Sequence, residues 1–263
     1  MRLQDKVVIV TGSTTGIGKA IAKRCVEEGA KVLIHGLEED WAQQTVKELG
    51  EQCALAYTGD LSFDTTIEAV VEVCLKKYGK IDALVNNAAW VPASTIENSD
   101  RPFMEKVLSI NTLAPLLLIK AALPHLKKTK GSILNIGSVN AWSGEPNLLG
   151  YSMSKGALMT MTRNLGDVLF RDFQVRVNQI NPGWVLTETE IKRKKEHGLS
   201  ENWYEGLPAM FAPAGRIIFP REIAAGAIFW LSEESGPISG QIMELEQHPM
   251  IGRNPPKDTS TIK

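Results

Sequence analysis

The run Val7-Val8-Ile9-Val10, followed at once by Thr11-Gly12-Ser13-Thr14-Thr15-Gly16-Ile17-Gly18 and then by an amphipathic stretch, constrains the fold more than any other segment. Four consecutive β-branched residues describe a strand covered on both faces. Ile17, Ala20, Ile21 and Cys25 then recur on one face at helical spacing. Glycines at 12, 16 and 18 permit a tight strand-to-helix turn and close approach of the backbone to a ligand. The helix that follows offers unpaired N–H groups and the positive end of its dipole to a phosphate. A strand, a glycine loop and a helix in this order form the first crossover of a parallel α/β sheet and a cradle for a dinucleotide pyrophosphate. The spacing is G-x-x-x-G-x-G, not G-x-G-x-x-G.

The alternation continues along the chain. Residues 31–34, 54–57, 81–85, 132–136, 175–180 and 241–245 read as further strands, and Ile67, Val70, Val71 and Cys74 mark a second helical face. This predicts right-handed crossovers and a doubly wound parallel sheet, a three-layer α/β/α fold of Rossmann type. With 263 residues, 43% hydrophobic and 22% charged, one domain over residues 1–252 can bury a sufficient core. The stretch 187–220 carries charges, Trp203, Tyr204, Met210 and three prolines, and reads as an irregular substrate lid. Residues 253–263 read as an irregular tail. Segments 113–126 and 156–170 are apolar around much of their circumference. They are either buried within the domain or turned towards another subunit.

Twenty-nine basic and thirty acidic side chains give a net charge of −1, which argues against a nucleic-acid partner held by bulk charge. Cys25, Cys53 and Cys74 are odd in number and lack C-x-x-C spacing, so neither a disulfide framework nor a metal site is expected. That usage suits a reducing cytoplasm. The apolar run at residues 7–10 is too short for a signal segment. Residues 113–119 fall far below the ~20 residues of a membrane span, so no membrane partner is expected.

Tyr151-Ser152-Met153-Ser154-Lys155 opens a predicted helix and places Tyr151 and Lys155 on one face. A phenol with a pKa near ~10 is a poor base at neutral pH. A neighbouring ammonium favours the phenolate, so such a pair can exchange a hydroxyl proton. Ser138 follows strand 132–136, at the carboxyl end where open α/β sheets bind ligands, and can hold a substrate oxygen. Asn111 lies in a helical region beyond Asn86-Asn87.

Taken together and in order, Thr11–Gly18, Asp60-Leu61, Asn86-Asn87-Ala88, Asn111, Ser138, Tyr151 to Lys155 and Asn181-Pro182-Gly183 give the chain a resemblance. It resembles the short-chain dehydrogenase/reductase family from Leu3 to about Gln241. The resemblance implies that Tyr151 is the acid/base, that Lys155 lowers its pKa and holds the nicotinamide ribose, that Ser138 orients the substrate, and that Asn111 supports a proton relay through water. It implies that Gly12, Ser13, Thr14, Thr15, Gly16, Ile17 and Gly18 cradle the pyrophosphate. Leu37, Asp60, Leu61, Asn87 and Ala88 would lie along the adenosine, and Pro182, Gly183, Val185 and Thr187 at the carboxamide end. Two departures stand out. Ala89 replaces the last glycine of Asn-Asn-Ala-Gly, and Leu245-Glu246-Gln247-His248 stands where relatives commonly have Val-Asp-Gly-Gly.

Gly36 stands where family members using NAD often have Asp, and Leu37 where those using NADP often have Arg. Thr15 is not basic, and Glu38, Glu39 and Asp40 lie close by. NAD is the expected cofactor. NADP stays open, because His35 could donate to a phosphate. Ser138, Asn140, Asn147, Tyr151 and Trp184, with Trp90, Val91 and Trp142, are the expected lining of a pocket for a small hydroxylated molecule. A sugar or polyol fits rings that stack and amides that bond hydroxyls, while a steroid or hydroxy fatty acid stays open. The expected reaction interconverts a secondary alcohol and a ketone, or a lactol and a lactone, in a homotetramer. One alternative is an NADPH-dependent 3-oxoacyl-carrier-protein reductase that meets its acidic carrier at Lys127, Lys128, Lys130 and Arg171; the missing arginine at 37 speaks against it. Another is a non-catalytic dinucleotide-binding regulator, against which Tyr151 and Lys155 are both present.

Overall fold

In the computed structural model, which describes residues 1–196 and 198–249, seven strands form one parallel sheet. They are β1 (Val7–Val10), β2 (Lys31–Gly36), β3 (Ala54–Thr58), β4 (Ala83–Asn86), β5 (Ser132–Ile136), β6 (Arg176–Pro182) and β7 (Ile242–Leu245). Their order is β3-β2-β1-β4-β5-β6-β7, with every neighbouring pair parallel. The chain winds outwards from β1, returns to β4 and winds outwards the other way. The switch point between β1 and β4 opens the crevice in which such sheets bind ligands. All seven predicted strands are present, with ends displaced by one or two residues. The predicted tail at 253–263 lies outside the described residues.

Among the described residues nine α-helices connect the strands: α1 (Gly16–Glu27), α2 (Glu39–Leu49), α3 (Asp64–Tyr78), α4 (Arg101–Leu108), α5 (Ala114–Thr129), α6 (Asn140–Ser143), α7 (Leu149–Phe173), α8 (Glu188–Glu196) and α9 (Pro220–Leu231). Alternate residues of each strand face opposite layers. Val8, Val10, Val32 and Ile34 pack with Ile21 and Cys25 of α1 and Ile223 and Ala227 of α9. Val7, Ile9 and Leu33 pack with Ile67, Val70 and Cys74 of α3 and Leu118 and Ala122 of α5. Both helical faces read from the sequence are therefore core faces.

Two segments differ from expectation. The lid stretch is not irregular throughout, because α8 opens it. Thr187 Oγ1 accepts the Glu190 N–H at 3.1 Å, and Thr187-Glu188-Thr189-Glu190 carries the capping signature that predicts a helix start. Secondly, α4, a π-turn at Ser109–Leu113 and α5 run on as one helix from Arg101 to Thr129, long and apolar enough by length and composition to cross a membrane. One face of it belongs to the core through Val107, Leu118, Ala122 and Leu126. Leu113 and Leu116, and Met153 on α7, stay exposed.

Candidate active site

The glycine loop is built against the end of β4. Asn87 Nδ2 donates to the carbonyls of Thr11 and Gly12 at 2.9 and 2.8 Å, while Thr11 Oγ1 accepts the N–H groups of Asn87 and Ala88. A Cβ on Gly12 would lie 2.8 Å from Ala88 Cα, and one on Gly18 would lie 2.2 Å from the Gly12 carbonyl oxygen. Two of the three glycines thus serve contacts within the protein. Gly16, at φ +55°, has Thr187 as its nearest neighbour at 3.3 Å, and its N–H donates to Glu188 Oε2 at 3.3 Å. The Glu188 carboxylate thus sits at the N-terminus of α1, where a helix dipole favours negative charge. Ser13 departs from expectation. It is fully buried, and its hydroxyl donates to the Val10 carbonyl at 2.6 Å and accepts the His35 N–H at 3.0 Å. No donor on this side chain remains for a phosphate.

At the end of β2, His35 is 2% exposed. Its Nδ1 accepts the Gly12 N–H at 3.5 Å and its Nε2 bonds the Gly59 carbonyl at 3.1 Å, which fixes the proton on Nε2. Burial pushes its pKa down to about 4. His35 is a neutral packing residue, and the expectation that it could greet a phosphate is corrected. A Cβ on Gly36 would lie 2.5 Å from Thr14 Cγ2, so Thr14 fills the space an aspartate would need there. Leu37 is 64% exposed. Glu39 accepts hydrogen bonds from Thr58 and Gln43 at 2.6 and 2.7 Å, which hold its carboxyl below the usual range. Asp60 caps the following turn through the Ser62 N–H at 2.8 Å. Leu61 is buried in the core beneath α3, so its side chain is a packing group and not an open adenine contact.

Ser138, Tyr151 and Lys155 converge at the ends of β5 and α7. The Ser138 side chain stands near enough to the Tyr151 phenol to favour its ionised form. Ser138 Oγ accepts the Asn140 N–H at 3.2 Å, and the Ser138 N–H donates to Asn181 Oδ1 at 3.1 Å. Asn181 is in turn held by Gln179 Nε2 at 2.7 Å, and Gln179 Oε1 accepts from Thr162 at 2.8 Å. This buried support, with Asn181 seen beforehand only as part of a motif, joins β6 and α7 beneath Ser138. Gly137 has to be glycine for the same reason, since its Cβ would lie 2.1 Å from Asn181 Oδ1.

Lys155 is 2% exposed; its Nζ donates to the Ile136 carbonyl at 2.7 Å and lies 5.6 Å from the centre of the Tyr151 ring. Burial lowers its pKa to about 8. Burial likewise pushes the Tyr151 phenol up to about 12, opposed by the Ser138 side chain, reinforced by the charge of Glu145 and opposed again by that of Arg193. Desolvation dominates at the phenol, while the Lys155 ammonium, 5.6 Å from the ring centre, stands close enough to favour the phenolate against it. Asn111 is 1% exposed in the π-turn. Its amide accepts the Trp90 N–H at 2.8 Å and donates to the Trp90 carbonyl and to Ser154 Oγ at 2.9 and 3.0 Å. Its side chain is fully occupied, which leaves its main chain for any relay.

The expected substrate contacts are only partly brought together. Asn140 stands beside Ser138 and donates to Glu145 at 3.0 Å. Asn147 is an exposed turn residue at φ +66°, lining a cavity of about 340 Å³ with Ser94, Ile96, Pro146 and Ser152, to which Ser138 and Tyr151 do not contribute. The Trp184 indole stacks on Trp203 at 5.1 Å, and its N–H donates to Glu190 at 3.0 Å. One ring face and the polar edge of Trp184 are therefore committed within the lid. Trp90 packs on Phe103 and under Lys106, and Trp142 lies under Arg163. Glu145, Arg193 and Glu188 were not singled out beforehand. Their roles come from chain segments that only the fold brings to the site.

The family model described as short chain dehydrogenase matches residues 6–198. The chain is 33% identical over 252 residues to glucose 1-dehydrogenase 2 of Bacillus subtilis, covering 93% of this chain and 94% of the relative. The crystal structure of L-sorbose reductase from Gluconobacter frateurii, complexed with NADPH and L-sorbose, superposes with a TM-score of 0.87 at 28% identity, over 94% of this chain and 97% of that one. 3-Ketoacyl-(acyl-carrier-protein) reductase from Brucella melitensis, complexed with NADH, superposes with a TM-score of 0.81 at 28% identity, over 92% and 97%. Fold and site together define a nicotinamide-dependent oxidoreductase acting between alcohols and ketones. The chain belongs to the short-chain dehydrogenase family.

Proposed function

We propose that this protein interconverts a secondary alcohol and a ketone, or a lactol and a lactone, on a small sugar or polyol, with NAD preferred over NADP. The observation that carries the reading is the convergence of Tyr151, Ser138 and Lys155 at the strand ends beside a glycine loop at the N-terminus of α1. Similarity to a glucose dehydrogenase and a sorbose reductase supports the substrate class.

The residues present fit a dinucleotide. The Gly12 and Ser13 amides are taken by His35, so the loop amides from Thr14 to Gly18 would hold the pyrophosphate; Asp60, Asn87 and Ala88 would flank the adenosine. Tyr151 and Lys155 would meet the nicotinamide ribose, and Pro182, Gly183, Val185 and Thr187 the carboxamide. When bound, the nicotinamide takes or supplies a hydride. The protein's own residues manage the proton. Tyr151, kept protonated by burial, gives its hydroxyl proton to the carbonyl oxygen in reduction and, once ionised, receives it back in oxidation. Ser138, held by Asn181, orients that oxygen. Lys155 presents a donor to the ribose, and the Asn111 main chain holds a water that returns the proton to solvent. The absence of a cation at Leu37 and the commitment of His35 favour NAD.

The carrier-protein alternative is weakened at its docking patch. Lys127 lies over the Phe173 ring, and Arg171 pairs with Asp172 and Asp167. Exposed Leu113, Leu116 and Met153 support a homotetramer that covers them. Free thiols at Cys25, Cys53 and Cys74 suit the cytoplasm. The test is reduced-nicotinamide absorbance over a panel of sugars, polyols and hydroxy acids with NAD and NADP. Turnover of sugars or polyols with NAD is expected; turnover of β-ketoacyl thioesters with NADPH alone would overturn the reading. Light scattering should report four times the 28.9 kDa chain mass, and a monomer would refute the assembly.

A further inference from the structure

At the end of β7, Glu246 and Gln247 follow Leu245. These two side chains leave the strand end and reach opposite ends of the lid. Glu246 Oε2 accepts the Trp184 N–H at 3.0 Å, and Oε1 accepts the Gln247 N–H at 2.7 Å. The carboxylate lies against Gly183, where a Cβ would come within 1.9 Å of Oε2; glycine at 183 is what admits it. Gln247 reaches the other hinge. Its Oε1 accepts the Ala214 N–H at 2.9 Å, and its Nε2 donates to the Arg216 carbonyl at 2.7 Å. Between these ties the outgoing and returning chains touch in a short parallel contact, Val185 to Ile218, with the Leu186 N–H donating to the Ile218 carbonyl at 2.8 Å. One strand end therefore fastens both ends of residues 184–218. That segment carries Trp184, Val185, Thr187 and Arg193.

We propose that Glu246 and Gln247 are positioning residues that hold the lid 184–218 closed over the site and so set substrate affinity, without touching the reacting atoms. The proposal rests on the reading of this segment as the cover of an oxidoreductase site, so its test has one arm independent of turnover. Two hydrogen bonds of ordinary net worth, partly open to solvent, correspond to about tenfold in the closed-to-open ratio.

The first arm is limited proteolysis with an enzyme that cuts after Lys and Arg, read at Lys192 to Lys195 on α8. Gln247→Ala should be cut about tenfold faster there than the parent, with the thermal midpoint little changed. Glu246→Ala should behave alike, and Glu246→Gln, which keeps an acceptor for the Trp184 N–H and loses the one for the Gln247 N–H, should fall between the parent and Glu246→Ala. The second arm uses the best alcohol found in the panel: KM should rise by a similar factor in Gln247→Ala, with kcat falling less and NADH affinity, read by fluorescence, falling by no more than that factor, because Val185 and Thr187 ride on the segment. Unchanged cleavage and KM in both alanine variants would overturn the proposal. So would faster cleavage with unchanged KM, or a loss of kcat that merely follows a lower thermal midpoint. Faster cleavage in a protein that turns over no alcohol would uphold the tie and refute the oxidoreductase reading.

Discussion

Replacing Leu37 with arginine tests the reading of the adenosine end most sharply. Leu37 follows β2 directly and is 64% exposed, so a longer side chain enters there without disturbing the core. Neither neighbour competes for the added phosphate of NADP. His35 is neutral, with both ring nitrogens committed, and Thr14 fills the space beside Gly36. An arginine supplies a planar, bidentate partner for a phosphate. Hydrogen bonds to charged groups are worth about 1.5–3 kcal/mol. Exposure discounts this towards the value of surface ion pairs. The expected gain is about 1–2 kcal/mol, or roughly five- to thirtyfold in kcat/KM for NADP. Glu39 is anchored by Thr58 and Gln43 and so is not free to fold over and quench the new cation. The assay is kcat/KM for both cofactors, in parent and variant, at one ionic strength. A parent already faster with NADP, or a variant with no gain on NADP, would refute this account of the pocket.

Two further outcomes follow from the buried titratable groups. Because burial raises the Tyr151 phenol to about 12, reduction has its proton donor at neutral pH while oxidation awaits ionisation. Oxidation kcat/KM should climb by up to about tenfold per pH unit through neutrality while reduction stays flat; parallel profiles would contradict the assignment. His35, whose pKa falls to about 4 in the folded state from 6.5, binds its proton more readily in the unfolded chain. Its contribution to stability is complete above pH ~6.5 and is lost as pH drops towards ~4, by about 1.4 kcal/mol per unit. Urea midpoints across that range should fall more steeply for the parent than for His35→Gln, and equal slopes would contradict the burial argument.

The sheet was legible because strands covered on both faces are written as unbroken apolar runs, and the crossover helices show their buried stripes at Ile21, Cys25, Val70 and Cys74. The grouping of Ser138, Tyr151 and Lys155 was legible because two of them share one helix and the third follows a strand directly. Less was legible where roles depend on distant segments. Nothing local marks Ser13 as buried, since its hydroxyl is consumed by Val10 and by His35 on the adjoining strand. The raised pKa of Tyr151 could not be read from its spacing to Lys155, because it comes chiefly from desolvation, which only the fold sets. The stacking of Trp184 on Trp203 joins residues nineteen positions apart through the folded lid. The helix α8 was within reach of the sequence through its capping signature, which the prolines and charges around it obscured.

The central claim is that Tyr151 carries the proton while the glycine loop, which would hold the pyrophosphate, stands apart from it. Tyr151→Phe keeps the ring and removes only the phenolic oxygen. Steady-state turnover of the best alcohol, measured beside NADH affinity by fluorescence titration, tests this directly. The account predicts a loss of about 10²–10⁴-fold in kcat with cofactor affinity close to that of the parent. Turnover near the parent's, or loss of cofactor binding in step with activity, would contradict it.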